Sequence, residues 1–281
     1  MKPVINYINS LLFPLLPETS CFALKRGLLR LAGAKIGKNV TIHPFAYIDK
    51  NVEIGDNCTI MPYASILNGT RMGNNNIIYQ TAIVGAAPQD FKFKGDETLL
   101  IIGDNNTIRE KVIINRATNK GDSTVIGNGN FLLEGVHIAH DTYIGNDCIL
   151  GNGTKTAGNC KLDDKAILGS GVILKHGCHV GSWSLLRDGC RANKDVPPFI
   201  VAAHNPITYY GINAVLMSKA GGFKDNIVDD IAKAYRQIYQ CGTSLENALL
   251  RIKELIPESP EIKYLIDFIE SSDKGIIGIT I

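Results

Sequence analysis

Residues 36–66 read IGKNVTIHPFAYIDKNVEIGDNCTIMPYASI, with isoleucine at every sixth position. A period of six fits neither an α-helix nor the two-residue alternation of a simple strand. It fits a coil of three short strands joined by tight turns, about 18 residues in all, with one aliphatic side chain per strand pointing inward. The same register continues through Met72, Ile78 and Val84, and it returns at Ile102, Ile108, Ile114, Ile126, Leu132, Ile138, Ile144, Leu150, Leu162, Leu168, Leu174, Val180 and Leu186.

The repeat predicts a mainly β protein, a parallel β-helix of hexapeptide repeats over residues 34–200. Stacked coils bury a continuous narrow core that no single coil could bury alone. Glycine, asparagine and aspartate beside the aliphatic positions supply the backbone angles that tight corners require.

Two segments interrupt the register, near residues 85–101 and 115–125. Loops extruded from a rigid solenoid either carry function or are tolerated insertions. We favour function for the first loop because Gln89, Asp90, Lys92 and Lys94 crowd into six residues.

The ends of the chain do not follow the repeat. Residues 1–33 are expected to form an N-terminal helical cap, in which ALKRGLLRLA (23–32) is a short basic amphipathic helix. Such a helix covers the open end of a solenoid, or else it contacts a membrane surface. Residues 201–281 predict a small α-helical C-terminal domain, with helices over 225–240, from Ser244 onward and over 261–270.

Composition excludes several classes of protein. Charged residues make up 20% of the chain and the net charge is +2, so no nucleic-acid partner is indicated. The apolar stretch Leu11–Leu16 is interrupted by Pro14 and is too short for a membrane span or a signal peptide, which favours a cytoplasmic protein without stable membrane insertion. Seven cysteines occur without a CxxC pair. Five of them share one phase of the repeat, so we expect packing there rather than disulfides or zinc.

The segment VHIAHD (136–141) brings together two histidines and an acid. His137 and His140 flank the inward-pointing Ile138, and Asp141 follows. Histidine suits proton transfer near neutral pH, and a neighbouring carboxylate can fix its tautomer. Surface or subunit-contact histidines would have the same spacing. Zinc held by three histidines, as in the γ-class carbonic anhydrases, lacks an evident third histidine at a suitable phase.

Six motifs, of which VHIAHD is part of one, make the pattern more specific, because hexapeptide repeats alone occur in many acetyltransferases. Their order and spacing resemble the UDP-N-acetylglucosamine O-acyltransferases of lipid A synthesis over residues 36–272. The motifs are VGAAPQDFKFKGDE (84–97), IIGDNNTIREKVIINRAT (101–118), GVHIAHD (135–141), DVPPF (195–199), YYGIN (209–213) and AYRQIYQCGTSLENAL (234–249).

The resemblance implies a left-handed coil and a bacterial homotrimer with active sites in the clefts between neighbouring solenoids. It implies a 3-hydroxyacyl group carried by acyl carrier protein, with no cofactor or metal. His140 would take the proton from the sugar 3-hydroxyl, Asp141 would orient His140, and the backbone N–H of Gly158 would stabilise the oxyanion.

The resemblance also implies substrate-binding residues, some of which depart from the family's pattern. Gln89, Asp90, Lys92 and His137 would hold the nucleotide sugar or the phosphopantetheine arm. Asn159, Lys175 and His176 stand where the family has other side chains that bind the sugar and the diphosphate. Asn213, which matches the family's motif, would also bind the substrate. Arg187 and Asp188 replace a Gly-Gly pair along the acyl groove, where a charged side chain would shorten or repolarise it.

The first hypothesis is therefore acyl transfer from acyl carrier protein to a hydroxyl or amine of a UDP-N-acetylglucosamine-type sugar. A second is a sugar acetyltransferase of surface-polysaccharide synthesis that uses acetyl-CoA. A third is a solenoid scaffold without catalysis, which the joint presence of His140, Asp141 and Gly158 disfavours. The basic residues Lys233 and Arg236 either face the acidic carrier protein or are simply solvated, and the same choice holds for Arg251.

Overall fold

The computed structural model describes residues 21–279. The predicted cap is therefore described only from residue 21, and the apolar stretch Leu11–Leu16 lies outside the described residues. Within this range no helix combines the length and apolar composition needed to cross a bilayer.

The middle of the chain is a left-handed parallel β-helix with a triangular cross-section. Its three faces are sheet A (β1, β4, β7, β10, β13, β16, β19, β22), sheet B (β2, β5, β8, β11, β14, β17, β20, β23, then β25 and β26) and sheet C (β3, β6, β9, β12, β15, β18, β21, β24). Successive strands along the chain occupy successive faces, so every third strand stacks in parallel on the one below.

Most strands are only two residues long because each face ends in a corner. The strands are Lys35–Ile36, Thr41–Ile42, Tyr47–Ile48, Glu53–Ile54, Thr59–Ile60, Ser65–Ile66, Thr70–Met72, Ile77–Ile78, Ile83–Ala86, Leu99–Ile102, Thr107–Ile108, Ile113–Asn115, Ser123–Ile126, Phe131–Leu132, His137–Ile138, Tyr143–Ile144, Ile149–Leu150, Lys155–Thr156, Lys161–Leu162, Ile167–Leu168, Ile173–Leu174, His179–Val180, Leu185–Leu186, Arg191–Ala192, Ile200–Ala203 and Thr208–Ile212 (β1 to β26).

The predicted aliphatic positions form the core. Ile42, Ile60 and Ile78 are fully buried and stack one above another on sheet B. The five cysteines of the repeat are also buried, namely Cys58, Cys148, Cys160, Cys178 and Cys190. Their thiols are close enough to main-chain carbonyls to hydrogen bond, as Cys148 is to Asp163 O at 3.3 Å. They pack as small residues, as the sequence predicts.

A ladder of asparagine and aspartate side chains runs along the corner between sheets A and B. Each Oδ1 accepts the backbone N–H of the equivalent residue one coil earlier, for example Asp104 N to Asn128 at 2.7 Å. The step is 18 residues in ordinary coils, 30 across the first extruded loop and 24 across the second. The loops therefore leave the stacking unchanged. The rungs are Asp56, Asn74, Asp104, Asn128, Asn146 and Asp164.

Helix α1 (Phe22–Ala32) lies across the first coil. Lys25 Nζ donates to Ile42 O at 3.1 Å, Arg26 to Val40 O at 3.0 Å, and Arg30 to Ile36 O at 2.6 Å. These cations bind carbonyls of the end coil, so the helix covers that end of the β-helix.

The chain leaves the β-helix through an antiparallel hairpin of β25 and β26, which extends sheet B. The helices α2 (Ala214–Lys219), α3 (Asp225–Tyr239), α4 (Leu245–Leu255) and α5 (Pro260–Glu270) follow. The last three lie close to the predicted spans, whereas the hairpin and α2 were not predicted. Beyond α5 the tail returns to the β-helix, where Ile276 bridges Asp195.

Candidate active site

The candidate site lies at the corner between sheets C and A. His140 follows β15, and Gly158 and His176 occupy the same corner one and two coils further along. Parallel strands stack about 4.8 Å apart, so one coil separates each residue of this column from the next.

His140 and Asp141 form a hydrogen-bonded dyad. Asp141 adopts a left-handed backbone conformation with φ 58°, which aspartate tolerates better than most residues. Its Oδ2 lies 2.7 Å from Nδ1 of His140. An ionised carboxylate accepts only, so in the neutral ring Nδ1 carries the proton and Nε2 keeps its lone pair. The His140 side chain is 12% exposed, so little water competes with this bond.

Thr118 completes the dyad from the second extruded loop. Its backbone N–H donates to Asp141 Oδ1 at 3.1 Å, and its hydroxyl oxygen lies 2.9 Å from His140 Nδ1. Sequence reasoning missed this residue. Thr118 ends the segment INRAT (114–118), which belongs to the family motif but has no local pattern that points to the dyad.

The first extruded loop covers the other side of the His140 ring. Asp90 Oδ2 lies 3.6 Å from Nε2, while Oδ1 of Asp90 accepts the backbone N–H of Lys92 at 2.8 Å. The side chains of Gln89 and Lys92 are exposed. The structure therefore places Asp90 at the reactive nitrogen and leaves the other two free to meet a ligand.

The two loops are fastened to each other. Asn115 Nδ2 donates to Ala87 O at 2.6 Å, and the backbone N–H of Arg116 donates to Ala86 O at 2.9 Å. Both acceptors lie on the first loop and both donors on the second. The groups on either side of His140 are thus held in one unit.

Gly158 forms the floor under the His140 ring. A Cβ built at Gly158 would lie 2.4 Å from Cε1 and 2.7 Å from Nε2 of His140, closer than any real contact. The residue is buried, and its backbone N–H makes no hydrogen bond within residues 21–279. A buried N–H without a partner is uncommon and leaves a donor beside the reactive nitrogen.

Electrostatics keep the dyad in its working form. Burial would raise the pKa of the Asp141 carboxyl, but hydrogen bonds from His140 and Thr118 outweigh it and hold this pKa below its ordinary value. Burial, and then the charge of Lys155 one coil away, lowers the pKa of His137. At neutral pH, Asp141 is therefore charged and the His137 ring is neutral.

The remaining predicted residues lie at three different corners. Asn159, Lys175 and His176 share the His140 corner, all exposed. Arg187 and Asp188 follow β23, at the corner between sheets B and C.

Asn213 belongs to the third corner, between sheets A and B, where its Nδ2 donates to Trp183 O at 2.8 Å. One chain therefore does not bring Asn213, Arg187 or Asp188 to the dyad.

The pair at the B–C corner is already engaged. Asp188 Oδ1 accepts the backbone N–H of Ser170 at 2.8 Å, and the Arg187 guanidinium lies 4.1 Å from the centroid of the Tyr210 ring. The Asp188 carboxylate is exposed as well as hydrogen-bonded. The cost expected for an unpaired carboxylate beside hydrocarbon does not arise in this arrangement.

A histidine with a free Nε2, an orienting carboxylate and a nearby unpaired N–H can remove a proton and stabilise an oxyanion. Comparison with known proteins identifies the family. The family model for UDP-N-acetylglucosamine O-acyltransferase, domain 2, matches residues 195–277, and the model for bacterial transferase hexapeptide repeats matches residues 33–62, 51–86 and 123–158.

A curated relative from Thermodesulfovibrio yellowstonii, an acyl-[acyl-carrier-protein]–UDP-N-acetylglucosamine O-acyltransferase, is 38% identical over 86% of this chain and 94% of its own. The chain belongs to the UDP-N-acetylglucosamine O-acyltransferase family. The Pseudomonas fluorescens protein of the same name is also 38% identical, over 72% of this chain and 78% of its own length.

Solved structures of the family share the fold. The UDP-N-acetylglucosamine acyltransferase of Bacteroides fragilis is 50% identical, with a TM-score of 0.84 over 87% of this chain and 96% of that one. The enzyme of Francisella novicida is 35% identical, with a TM-score of 0.84 over 88% of this chain and 90% of that one. The family resemblance seen in the motifs is thereby confirmed, as is the acyltransferase class.

Proposed function

We propose that this protein transfers an acyl group from an acyl carrier protein thioester to the 3-hydroxyl of UDP-N-acetylglucosamine, the first step of lipid A synthesis. The observation that carries the proposal is the His140–Asp141 dyad beside the unpaired N–H of Gly158, in a chain whose relatives are named for this reaction.

His140 acts as general base. Nε2 accepts the proton of the sugar hydroxyl while the oxygen attacks the thioester carbonyl carbon, forming a C–O bond. Asp141, kept ionised by its hydrogen bonds, holds the Nδ1–H tautomer and stabilises the imidazolium that forms. The tetrahedral intermediate then expels the phosphopantetheine thiolate, which takes the proton back from Nε2.

The backbone N–H of Gly158 donates to the oxyanion of this intermediate. A buried donor in a site of low dielectric is worth more than the same donor in water. Asp90 lies 3.6 Å from Nε2 of His140. In the proposed complex the sugar enters between Asp90 and the His140 ring, and Asp90 accepts a hydrogen bond from a sugar hydroxyl. No metal or cofactor enters the proposed steps.

A complete site needs more than one copy of the chain. The proposed acyl-groove residues Arg187 and Asp188 lie at the B–C corner, and the proposed nucleotide contact Asn213 lies at the A–B corner. Only a neighbouring molecule brings those corners to the dyad, so we infer a homotrimer with shared clefts. We expect it to work in the bacterial cytoplasm with acyl carrier protein.

Arg236 and Arg251 are exposed on α3 and α4 and are available to the acidic carrier protein. Lys233 is less available to the carrier protein, because its Nζ lies 2.8 Å from Asp230 Oδ1.

The test offers the purified full chain UDP-N-acetylglucosamine with carrier proteins bearing acyl groups of several lengths, and separately acetyl-CoA. We expect turnover with an acyl carrier protein and a loss of at least about 10³-fold in kcat for His140→Ala. His43→Ala, a histidine at another corner, is the matched control and should retain activity. Turnover with acetyl-CoA and with no acyl carrier protein would refute the proposed donor and identify acetyl-CoA as the donor instead. Unchanged kcat in His140→Ala would refute the base.

A further inference from the structure

From the second extruded loop, the side chain of Thr118 reaches His140 Nδ1. We propose that Thr118 is a positioning residue that fixes the tautomer of His140 and the ionisation of Asp141. The inference rests on the proposed function, because it assigns Thr118 a role in the same proton transfer.

Thr118 contacts both members of the dyad at once. Its backbone N–H occupies Asp141 Oδ1 at 3.1 Å, which leaves Oδ2 for His140. Its hydroxyl oxygen lies 2.9 Å from Nδ1, the nitrogen that Asp141 also binds. The three residues therefore form a closed ring of hydrogen bonds around the proton of Nδ1.

The hydroxyl has a direction that matters for catalysis. The Thr118 backbone N–H donates to Asp141, and both it and the Thr118 side chain lower the pKa of the Asp141 carboxyl against the opposing effect of burial. Because Asp141 already binds the proton on Nδ1, the Thr118 hydroxyl oxygen at 2.9 Å can offer Nδ1–H only a lone pair. A proton on Nδ1 is thus favoured twice, and Nε2 is left as the base.

The loop that carries Thr118 is well anchored. Asn115 and Arg116, just before it, bind carbonyls of the first loop, and Asp141 N–H donates to Thr124 Oγ1 at 2.9 Å just after it. The side chain of Thr118 is buried with the rest of the residue at 4% exposure. Its position is therefore set by the loop rather than by solvent, as a positioning residue requires.

Substitution separates the hydroxyl from the backbone contact. Thr118→Val keeps the side-chain shape and the backbone N–H but removes the hydroxyl. Thr118→Ser is the conservative variant that retains the hydroxyl. We expect kcat to fall roughly tenfold or more in Thr118→Val, with KM for UDP-N-acetylglucosamine within about twofold, and Thr118→Ser to recover most of the loss. Thr154→Val is the matched control. It removes a buried hydroxyl that donates to Gly169 O at 2.9 Å and does not contact the dyad.

A spectroscopic measurement distinguishes positioning from folding. In protein labelled with ¹⁵N-histidine, the ring nitrogens of His140 should report the Nδ1–H tautomer in the wild type and a mixture of tautomers in Thr118→Val. Thermal melting should fall by similar amounts in Thr118→Val and Thr154→Val, while only the former changes kcat and the tautomer. If Thr118→Val does not fold, Thr118→Ala takes its place.

The outcomes are separable from the proposed function. Wild-type kcat together with an unchanged tautomer in Thr118→Val would overturn the inference, even if His140→Ala were inactive. Absence of turnover in the wild type would refute the function, while a tautomer change in Thr118→Val would still support the positioning role.

Discussion

Gly158 shows how a single missing side chain shapes this site. The His140 ring occupies the space that a Cβ at Gly158 would fill, and the N–H of Gly158 has no partner within the described residues. Its φ is not in the left-handed region, so alanine is sterically possible for the backbone. The glycine is needed for the ring above it and not for the turn.

Gly158→Ala is therefore expected to displace the His140 ring and lower kcat by about 10²-fold or more, because small misplacements of a catalytic group are costly. Melting should change little. Gly27→Ala on α1 is the control, since a Cβ there meets no atom within 4 Å. Steady-state kinetics and thermal melting of the two variants measure the effect. Wild-type kcat in Gly158→Ala would show that the ring has room to move.

At the scale of elements, helix α5 is joined to sheet A through a second half-buried carboxylate, that of Asp163. Asp163 Oδ2 accepts from Tyr264 Oη at 2.6 Å and from His179 Nε2 at 2.7 Å, and Lys161 lies 3.2 Å from Oδ1. Burial would raise the pKa of Asp163, but His179, Tyr264 and Lys161 together hold it below the ordinary value. The ring of His179 also packs on Phe268, with centroids 4.3 Å apart.

This lowered pKa predicts how stability depends on pH. The charged Asp163 stabilises the folded state above the unfolded pKa of about 3.9, and this contribution is lost as pH falls through the lower folded value. Asp163→Asn should lower the melting temperature at pH 7 and flatten its fall between about pH 4 and 2.

Asp164→Asn is the matched control for that experiment. It removes a charge from the next residue but keeps the Oδ1 that accepts from Asn146 N at 2.7 Å. Melting curves of both variants across this pH range make the comparison. An acid slope in Asp163→Asn as steep as that of the wild type would contradict the assignment.

At the scale of the whole molecule, the ladder at the A–B corner links the coils into one unit. Asn128→Ala would leave the N–H of Asp104 without its acceptor, at a cost of about 1–3 kcal/mol in the free energy of unfolding. Asn128→Asp keeps the acceptor and should cost less. Chemical denaturation of the two variants tests this. Equal destabilisation by both would mean that the acceptor contributes little.

The β-helix was predictable because a buried aliphatic side chain at every sixth position leaves a direct mark on the sequence. Helix α4 was predictable for a similar reason, since Ser244 caps it by accepting from Asn247 N. Thr118 was not, because it meets His140 across 22 residues through the path of a loop, and no local pattern records that path.

The corner on which a residue lies was equally hard to predict. It depends on the phase of the residue within its coil, and the extruded loops lengthen two coils to 30 and 24 residues. Residues such as Asn213 and Arg187 therefore looked like members of one site in the sequence, although they lie on separate edges of the chain. Their convergence requires neighbouring molecules.

The 18-residue coil also constrains how this protein can change in length. Losing or duplicating six residues would turn the downstream chain by a third of a revolution and carry His176 away from the edge that holds His140. Losing or duplicating 18 would keep every edge intact and shift the parts by one step of about 4.8 Å. Viable indels within the coils should therefore come in whole revolutions, so the distances between residues along these edges change in discrete units.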